Sequence, residues 1–219
     1  MTKAYRTCST DALPVLAGLL PADLAIVERA ANFELARFRN FDTGTLHFEY
    51  LVEEPLAERK KRINEIVCAH WQSRWTSPTS KGETTRLFFP SVSEKLEKNW
   101  LTSDYYTSQF LTGHGAFRAS LHRFALRDSP ACTCGFETQD MAHVLFDCRE
   151  HSDARRVLVE CMRSFSRVES RDDLEHGIFG YRILVESGPL FDAFKAFAKC
   201  VLDNMEDLNA ALSRDSHQP

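Results

Sequence analysis

The chain of 219 residues lacks the long apolar runs and leader features that mark membrane and secreted proteins. No apolar run approaches the roughly 18 to 20 residues of a membrane span. The N-terminal segment has neither the small-residue cleavage site nor the uninterrupted apolar stretch of a secretory signal. A hydrophobic content of 43% is still enough to bury a core. The sequence therefore predicts an intracellular globular protein without a membrane partner.

Signatures of catalysis are also scarce. We find no P-loop, no convincing Ser-His-Asp arrangement and no repeat with a period of roughly 20 to 50 residues. The stretch Asp42-Thr43-Gly44-Thr45 matches the short signature of aspartic proteases, but no second aspartate motif or apolar flap follows, so a turn is favoured. Asp172 and Asp173 lack the preceding aromatic residue of a polymerase metal site and suit the first turn of a helix. No catalytic residue is therefore expected in this chain.

Acidic and basic residues are unevenly distributed. Residues 1–128 carry 17 Lys and Arg against 15 Asp and Glu, a net +2, whereas residues 129–219 carry 10 against 16, a net −6. A polyanionic partner would therefore meet the first part of the chain or the start of the second. The acidic part would serve as a support or as a protein-contact surface.

The most specific motif combines three cysteines and one histidine. Cys132, Cys134, His143 and Cys148 follow the spacing C-x-C-x8-H-x4-C, which is a complete ligand set for one tetrahedral zinc ion. Three thiolates and one imidazole leave no coordination position for a substrate water, so the predicted site is structural and not hydrolytic. Buried thiols beside an ordinary histidine are the alternative interpretation. His151 is the one credible substitute ligand.

Helix geometry constrains this motif further. Gly135 can take the backbone angles that the one-residue spacing of the first two cysteines requires. Thr138 resembles an N-cap, which predicts a short helix at Gln139–Phe146. Cys148 lies about 140° around an ideal α-helix from the histidine. The two ligands therefore converge only if the helix ends near Asp147, and we predict that it does.

The cysteines outside the motif have no obvious partners, which fits a reducing compartment, the cytosol or the nucleus. They are Cys8, Cys68, Cys161 and Cys200. Cys161 falls on the apolar stripe of a predicted helix and is therefore interpreted as a core residue.

Apolar periodicity predicts short helices through most of the chain. Turn residues at 76–91 predict a linker that leads into a short extended piece at Leu87–Phe89. We therefore expect a mainly α protein, with short helices around a CCHC zinc knuckle and little or no sheet. Three parts are expected: a helical connection at residues 1–75, a linker at 76–92 and a zinc-knuckle domain at 93–219. The predicted helices run from Ala12 to Ala17, from Pro21 to Phe38, from Pro55 to Trp75, from Ser93 to Trp100, from Asp104 to Leu111, from Ala116 to Leu126, from Ser152 to Phe165 and from Pro189 to Leu212.

The segment Asp104–Arg127 interleaves aromatic and basic side chains, a pattern typical of nucleic-acid-binding surfaces. Arginine makes bidentate phosphate contacts, and Gly113 and Gly115 would let backbone amides approach a phosphate. A helix-turn-helix core with the glycines as its turn is the alternative interpretation, and the basic cluster in the helix after Pro55 is usually a solvated face. The candidate nucleic-acid contacts are Arg118, His122, Arg123, Arg127 and His114, together with Lys60, Lys61 and Arg62.

Three blocks of sequence carry a resemblance to a known family. They are A-Y-R-T-C-S-T-D-A-L-P-V-L-A-G-L-L-P at residues 4–21, L-T-G-H-G-A-F-R-A-S-L-H-R-F at 111–124 and the C-C-H-C motif at 132–148. The chain resembles the C-terminal end of the open reading frame of non-LTR retrotransposons, and of the arthropod type-1 group in particular. The blocks also follow the family's order, downstream of its reverse transcriptase palm and thumb.

The resemblance implies a fragment of a Pol polyprotein that joins an endonuclease to an RNA-directed DNA polymerase and works by target-primed reverse transcription. The family's polymerase aspartates, on an aromatic-x-D-D turn, have no matching positions in this sequence, and its endonuclease is absent. Mg²⁺ is therefore implied only for the parent polymerase. This segment is expected to hold a structural zinc, to contact RNA or DNA and the remainder of the polyprotein, and to act in the nucleus.

Three hypotheses of function follow. In the first, the knuckle fixes the helix at 116–126 and presents its basic side chains to RNA or target DNA. In the second, zinc only holds the helices together, and the acidic C-terminal helices dock on the polymerase or on another partner. In the third, the chain is an aspartic protease that depends on Asp42.

Overall fold

The computed structural model describes residues 3–165 and 178–215. Helices dominate this part of the chain, and none of them is both long and apolar enough to cross a bilayer. They are α1 (Ala12–Ala17), α2 (Ala22–Leu35), α3 (Leu56–Thr76), α4 (Glu83–Phe88), α5 (Val92–Glu97), α6 (Tyr105–Thr112), α7 (Arg118–Arg123), α8 (Ser152–Phe165), α9 (Ile178–Ile183) and α10 (Gly188–Asp215), with a π turn at His143–Asp147 and a 3-10 turn at Arg149–His151.

Within the described residues, strands occur only in a short hairpin. β1 (Phe41–Asp42) pairs antiparallel with β2 (His47–Phe48). Asp42 lies at the mouth of the turn, where its Oδ1 accepts the Gly44 amide and its Oδ2 lies 2.9 Å from His47 Nδ1. The protease-like tetrapeptide is thus a hairpin turn. The predicted mainly α fold with little sheet is confirmed.

Glycine and proline set the first helix boundaries as the sequence predicts. α1 ends at Gly18, which takes the left-handed conformation (φ 65°), and α2 and α3 begin directly after Pro21 and Pro55. α2 and α3 pack against each other and bury Leu35 and Ile63 between them. α2 stops at Leu35, however, so the prediction that its apolar stripe reaches Phe38 is wrong.

Phe38 lies after the helix in a left-handed conformation (φ 62°) and is 75% exposed. Its ring contacts the edge of Tyr50 at 5.4 Å between centroids. The chain turns here because the Arg37 and Arg39 amides both bond back to Glu34 O, which closes the C-terminus of α2.

The predicted extended piece at Leu87–Phe89 is wrong, because this stretch is largely the end of α4. Gly82, with φ 102°, directly precedes the first residue of α4. The C-terminal end of α4 is held by a residue of α3. Trp75 Nε1 donates to Phe89 O at 2.7 Å in a buried contact. Such long-range contacts outweigh the weak local signal of a run of turn residues. One apolar cluster runs from Ala12 to Met205 and includes Phe88 and Phe89.

The core under the candidate site is aromatic. Phe110 of α6 contacts the Phe117 ring edge to face at 5.2 Å and the Phe194 ring of α10 at 5.7 Å. α10 also packs along α8. Its predicted stripe is buried at Phe194, Phe197, Val201 and Met205, whereas the side chains of Leu208 and Leu212, and the pair Asp172 and Asp173, lie outside the described residues.

α7 is shorter than predicted. The sequence predicts a helix to Leu126 with Phe124 and Ala125 facing inward, but the helix ends at Arg123 and Phe124 is 44% exposed. The Leu126 amide bonds to Leu121 O and the Ala125 amide to His122 O, while Ala125 takes φ 55°. This is a Schellman termination with alanine where glycine is usual, so the sequence carries no stop signal.

The N-terminal segment folds back onto α6. Tyr5 Oη lies 2.8 Å from Tyr105 Oη, and Thr7 Oγ1 lies 3.1 Å from His114 Nδ1. Two of the three sequence blocks quoted above, residues 4–21 and 111–124, are therefore in direct contact.

Candidate metal centre and the basic helix beside it

The first two cysteines lie on a tight turn. The Cys132 amide donates to Phe136 O at 2.9 Å, and the Gly135 amide donates to Cys132 O at 3.0 Å. Gly135 takes φ 95°, which the sequence anticipates from the one-residue spacing. The turn directs Cys132 and Cys134 toward the same point.

The histidine lies on a helical turn that ends where the sequence predicts. His143–Asp147 is helical and Cys148 is the first residue beyond it. The predicted N-cap is wrong, because Asp140 Oδ1 accepts the His143 amide at 2.8 Å and Thr138 takes no part. With Asp140 as the cap, only residues 141–142 are α-helical before the histidine.

This turn is a π turn, and its geometry brings the last two ligands together. The Cys148 amide donates to His143 O at 2.7 Å, a bond across five residues. In an α-helix, residues five apart are separated by about 140°. A turn closed by a bond from i+5 to i is wider and brings those residues closer together around the helix axis than an α-helix does. The spacing H-x4-C is therefore satisfied by the wider turn.

The four ligand atoms form a compact group. Cys132 Sγ lies 3.6 Å from Cys148 Sγ, and Cys134 Sγ lies 3.3 Å from His143 Nε2, with all four atoms within 4.8 Å of one another. A zinc ion with bonds of about 2.3 Å to sulfur has tetrahedral edges of about 3.8 Å. The donor set and its spacing thus fit a tetrahedral metal. His151 is buried at the end of the 3-10 turn and is not in this group.

The protonation of these groups follows from burial and from their closeness. Burial, together with the neighbouring thiols Cys132 and Cys134, raises the pKa of Cys148 to about 12. Burial also raises the pKa of Cys132, but hydrogen bonds from the Cys134 amide and Gln139 outweigh it, so that pKa is lowered. Burial lowers the pKa of His143, which favours the neutral imidazole that binds metals.

Gln139 connects the ligand group to α7, a role that the sequence does not reveal. Its Nε2 donates to Cys132 Sγ at 3.3 Å, and its Oε1 accepts the Arg118 amide at 3.3 Å. Its backbone carbonyl accepts the Ala119 amide at 3.1 Å. The buried side chain of Gln139 therefore donates to a thiol and accepts an amide from the first turn of α7.

Arg155 of α8 closes the other side of the site and was also missed. Its guanidinium donates to the carbonyls of Leu145 (2.8 Å), Val144 (3.0 Å) and Cys148 (2.7 Å). The first two carbonyls belong to the π turn, and Cys148 O, just beyond it, also accepts the His151 amide. An arginine in a helix pattern gives no signal for such a contact.

Phe136 lies flat against the candidate ligand His143. The two rings are 4.4 Å apart between centroids, with 4° between their planes. Among the described residues no hydrogen-bond partner reaches His143 Nδ1. Metal-bound histidines usually have such a partner on the second nitrogen. Here stacking orients the imidazole instead.

The predicted nucleic-acid contacts differ in availability. His122 and Arg123 are exposed on α7. Arg118 is half-buried, and its Nη1 donates to Ala131 O at 2.9 Å beside the first cysteine. His114 is half-buried against Thr7, and burial together with Arg123 lowers its pKa. Arg127 is half-buried.

The predicted basic cluster on α3 is partly committed to the fold. Arg62 makes a two-pronged ion pair with Glu54, at 2.7 and 2.8 Å, and also donates to Glu49 O. Lys60 and Lys61 are exposed, and Lys61 lies 3.8 Å from Glu65. Of these three basic residues, the two lysines are exposed and can contact a ligand, whereas the arginine is held in its ion pair.

Packing explains the two glycines of the turn before α7. Gly113 ends α6 at φ 70°, and a Cβ there would lie 2.8 Å from Thr84 Oγ1. A Cβ on Gly115 would overlap Gln109 Oε1, which accepts the Ala116 amide. The helix-turn-helix interpretation therefore accounts for both glycines without a phosphate.

Comparison with known proteins identifies relatives of one kind. The chain is 32% identical over 159 residues to a Retrovirus-related Pol polyprotein from type-1 retrotransposable element R1 4 of Nasonia vitripennis, covering 73% of this chain and 40% of the relative. It is 33% identical over 154 residues to the R1 Pol polyprotein of Bradysia coprophila, covering 68% and 15%. It is 30% identical over 153 residues to the R1 2 Pol polyprotein of Nasonia vitripennis, covering 69% and 37%. No family model and no solved structure matches. The chain thus spans less than half the length of these relatives.

Proposed function

We propose that this chain, which belongs with the Pol polyproteins of arthropod R1 type-1 retrotransposable elements, is a nucleic-acid-binding segment that holds RNA template or target DNA during target-primed reverse transcription. It would act in the nucleus, together with the remainder of such a polyprotein. Polymerase chemistry and its Mg²⁺ would belong to that remainder, since the polymerase aspartate motif has no match in this sequence.

Zinc is the metal that the site would hold, through Cys132, Cys134, His143 and Cys148. In a closed four-ligand site the ion supplies folding free energy and no reaction. The side chains around it do the positioning. Gln139 holds the first turn of α7, and Arg155 holds the π turn.

The observation that carries this proposal is the pairing of an anchored helix with exposed basic side chains. α7 is fixed at its N-terminus by Gln139, whereas His122 and Arg123 at its other end face solvent. Prepositioned cations near a rigid element contact phosphate with little entropy loss. Binding of this kind is dominated by counterion release, so it weakens steeply as salt rises.

Fluorescence anisotropy with a labelled oligonucleotide at increasing salt tests the proposal. Arg123→Gln should weaken binding and reduce the slope of log Kd against log salt by about 1. Arg29→Gln is the matched control, because Arg29 is an exposed arginine on α2. Arg118 is a poor choice, since its loss would also release the Ala131 carbonyl. A wild-type protein that binds neither single strands nor duplex at low salt contradicts the proposal.

A zinc-stabilised interaction and folding module is the second candidate, and one observation favours it. Arg118 and Arg62, two of the predicted phosphate contacts, bond to the protein itself. This second hypothesis predicts that Arg123→Gln leaves oligonucleotide binding unchanged. Binding of the chain to the rest of the polyprotein is then the measurement that tests it. The protease hypothesis predicts that Asp42→Asn abolishes a cleavage activity.

A further inference from the structure

Phe136 is an exposed aromatic ring on the surface of the knuckle. Its side chain is 52% exposed, although one face lies parallel to the buried His143 imidazole at 4.4 Å. The exposed area therefore belongs to the opposite face and the edges of the ring. A single exposed apolar side chain is ordinary on a protein surface, but this one is backed by a buried ring.

The backbone beside the ring is also open. A Cβ placed on Gly135 would have no atom within 4 Å. The Gly135 amide is already bonded to Cys132 O, and the Cys132 amide to Phe136 O, so this loop cannot easily collapse over the ring. A flat ligand thus has access both to the ring face and to the neighbouring turn.

The size of the apolar surface indicates what kind of ligand fits it. Within residues 128–150, all of which are described, Phe136 is the one large apolar side chain that is exposed. A stable protein interface buries about 800 Å² on each partner. One ring offers far less, but it matches the face of one unpaired base, and each such stack is worth about 1–3 kcal/mol.

We infer that Phe136 is a base-stacking platform that makes the knuckle selective for single-stranded nucleic acid. This inference rests on the proposed function and adds to it a class of ligand. Bases of a duplex are stacked on one another and present no free face to the ring, whereas unpaired bases do. Phosphate contacts from α7 would act on both kinds of nucleic acid, and the ring on single strands alone.

The experiment compares a single-stranded oligonucleotide and a duplex of the same length, each binding to the zinc-loaded full chain. Phe136→Ala should weaken binding of the single strand by about 5- to 150-fold and leave duplex binding within about twofold of wild type. Phe136→Leu, which keeps an apolar side chain but no ring, should behave like the alanine variant. Phe136→Trp should bind single strands, with quenching of its fluorescence as the base stacks.

Controls separate stacking from loss of the knuckle. Zinc content of each variant is measured in parallel, because Phe136 also supports His143. Val157→Ala removes an apolar side chain that is 69% exposed on α8 and should change neither ligand's affinity.

The outcomes distinguish the two proposals. Equal losses for single strand and duplex, or unchanged single-strand affinity in a zinc-loaded Phe136→Ala variant, overturn the stacking inference alone. Retained affinity in Phe136→Leu also overturns it, because the contact is then apolar and not aromatic. A wild-type chain that binds no oligonucleotide at all overturns the proposed function first.

Discussion

Gln139 offers the most direct test of how the ligand group and α7 are connected. The change Gln139→Glu replaces one side-chain nitrogen by oxygen. Oε1 remains able to accept the Arg118 amide, but the donor to Cys132 Sγ is lost and a negative charge is placed where that donor lay, 3.3 Å from the sulfur. The change therefore acts on the thiolate and spares the helix.

The magnitude follows from two independent estimates. A hydrogen bond to a charged group contributes about 1.5–3 kcal/mol. Substitutions of groups that bond to metal ligands typically lower metal affinity by about 10- to 100-fold. At about 1.4 kcal/mol per tenfold change these ranges coincide. We expect the zinc affinity of Gln139→Glu to fall at least about tenfold, since charge repulsion adds to the lost bond.

Competition with a chromophoric zinc chelator measures this affinity, and Co²⁺ substitution reports the thiolate environment through its charge-transfer absorption. Gln109→Glu is the matched control: Gln109 is also buried, and its Oε1 also accepts a backbone amide, that of Ala116 in the turn before α7. Zinc affinity that is unchanged in Gln139→Glu, or reduced equally in both variants, would refute the reasoning.

Three further predictions follow from the same contacts. Cys134→Ser should abolish binding of one zinc equivalent and unfold the knuckle locally, measured by metal content and chelation-induced unfolding, whereas Cys200→Ser, at an exposed cysteine outside the site, should retain the metal. Gly115→Ala should destabilise the fold by about 1–3 kcal/mol more than Gly44→Ala in urea unfolding, because both glycines have positive φ but only the first meets a side chain. The hydrogen bond from Arg62 lowers the pKa of Glu54, so its stabilisation is fully present above the unfolded pKa of about 4.3 and is lost as pH falls through the lower folded pKa. Glu54→Gln should therefore be less stable than wild type at pH 7, and the difference should shrink at pH 3; a constant difference would contradict this.

Local signals in the sequence predict much of the fold. Gly18, Pro21 and Pro55 set helix boundaries through their own backbone preferences, and the structure has the helices where these residues place them. The four residues that the structure brings together as a candidate metal site could likewise be named from spacing alone, because metal ligands of a compact site recur at short intervals.

The wrong prediction at α4 and the missed roles of Arg118 and Gln139 share a physical cause, which is that partners distant in sequence decide the outcome. α4 is held by a bond from Trp75 to Phe89 O, and Arg118 bonds to a carbonyl thirteen positions away. Gln139 has no periodicity or motif that marks it, yet it contacts both the cysteine turn and α7. Only the folded chain brings such groups together.

Because His143–Asp147 forms a π turn, the spacing between His143 and Cys148 cannot change by one residue without a change of helix type. With one residue fewer between His143 and Cys148, the two would lie four apart, about 40° around an ordinary α-helix, and no widened turn would be needed. With one residue more, neither kind of turn would align them. An insertion or deletion at 144–147 therefore also changes the backbone hydrogen bonds of this turn. A deletion is accommodated more readily than an insertion, because an ordinary α-helix can replace the π turn.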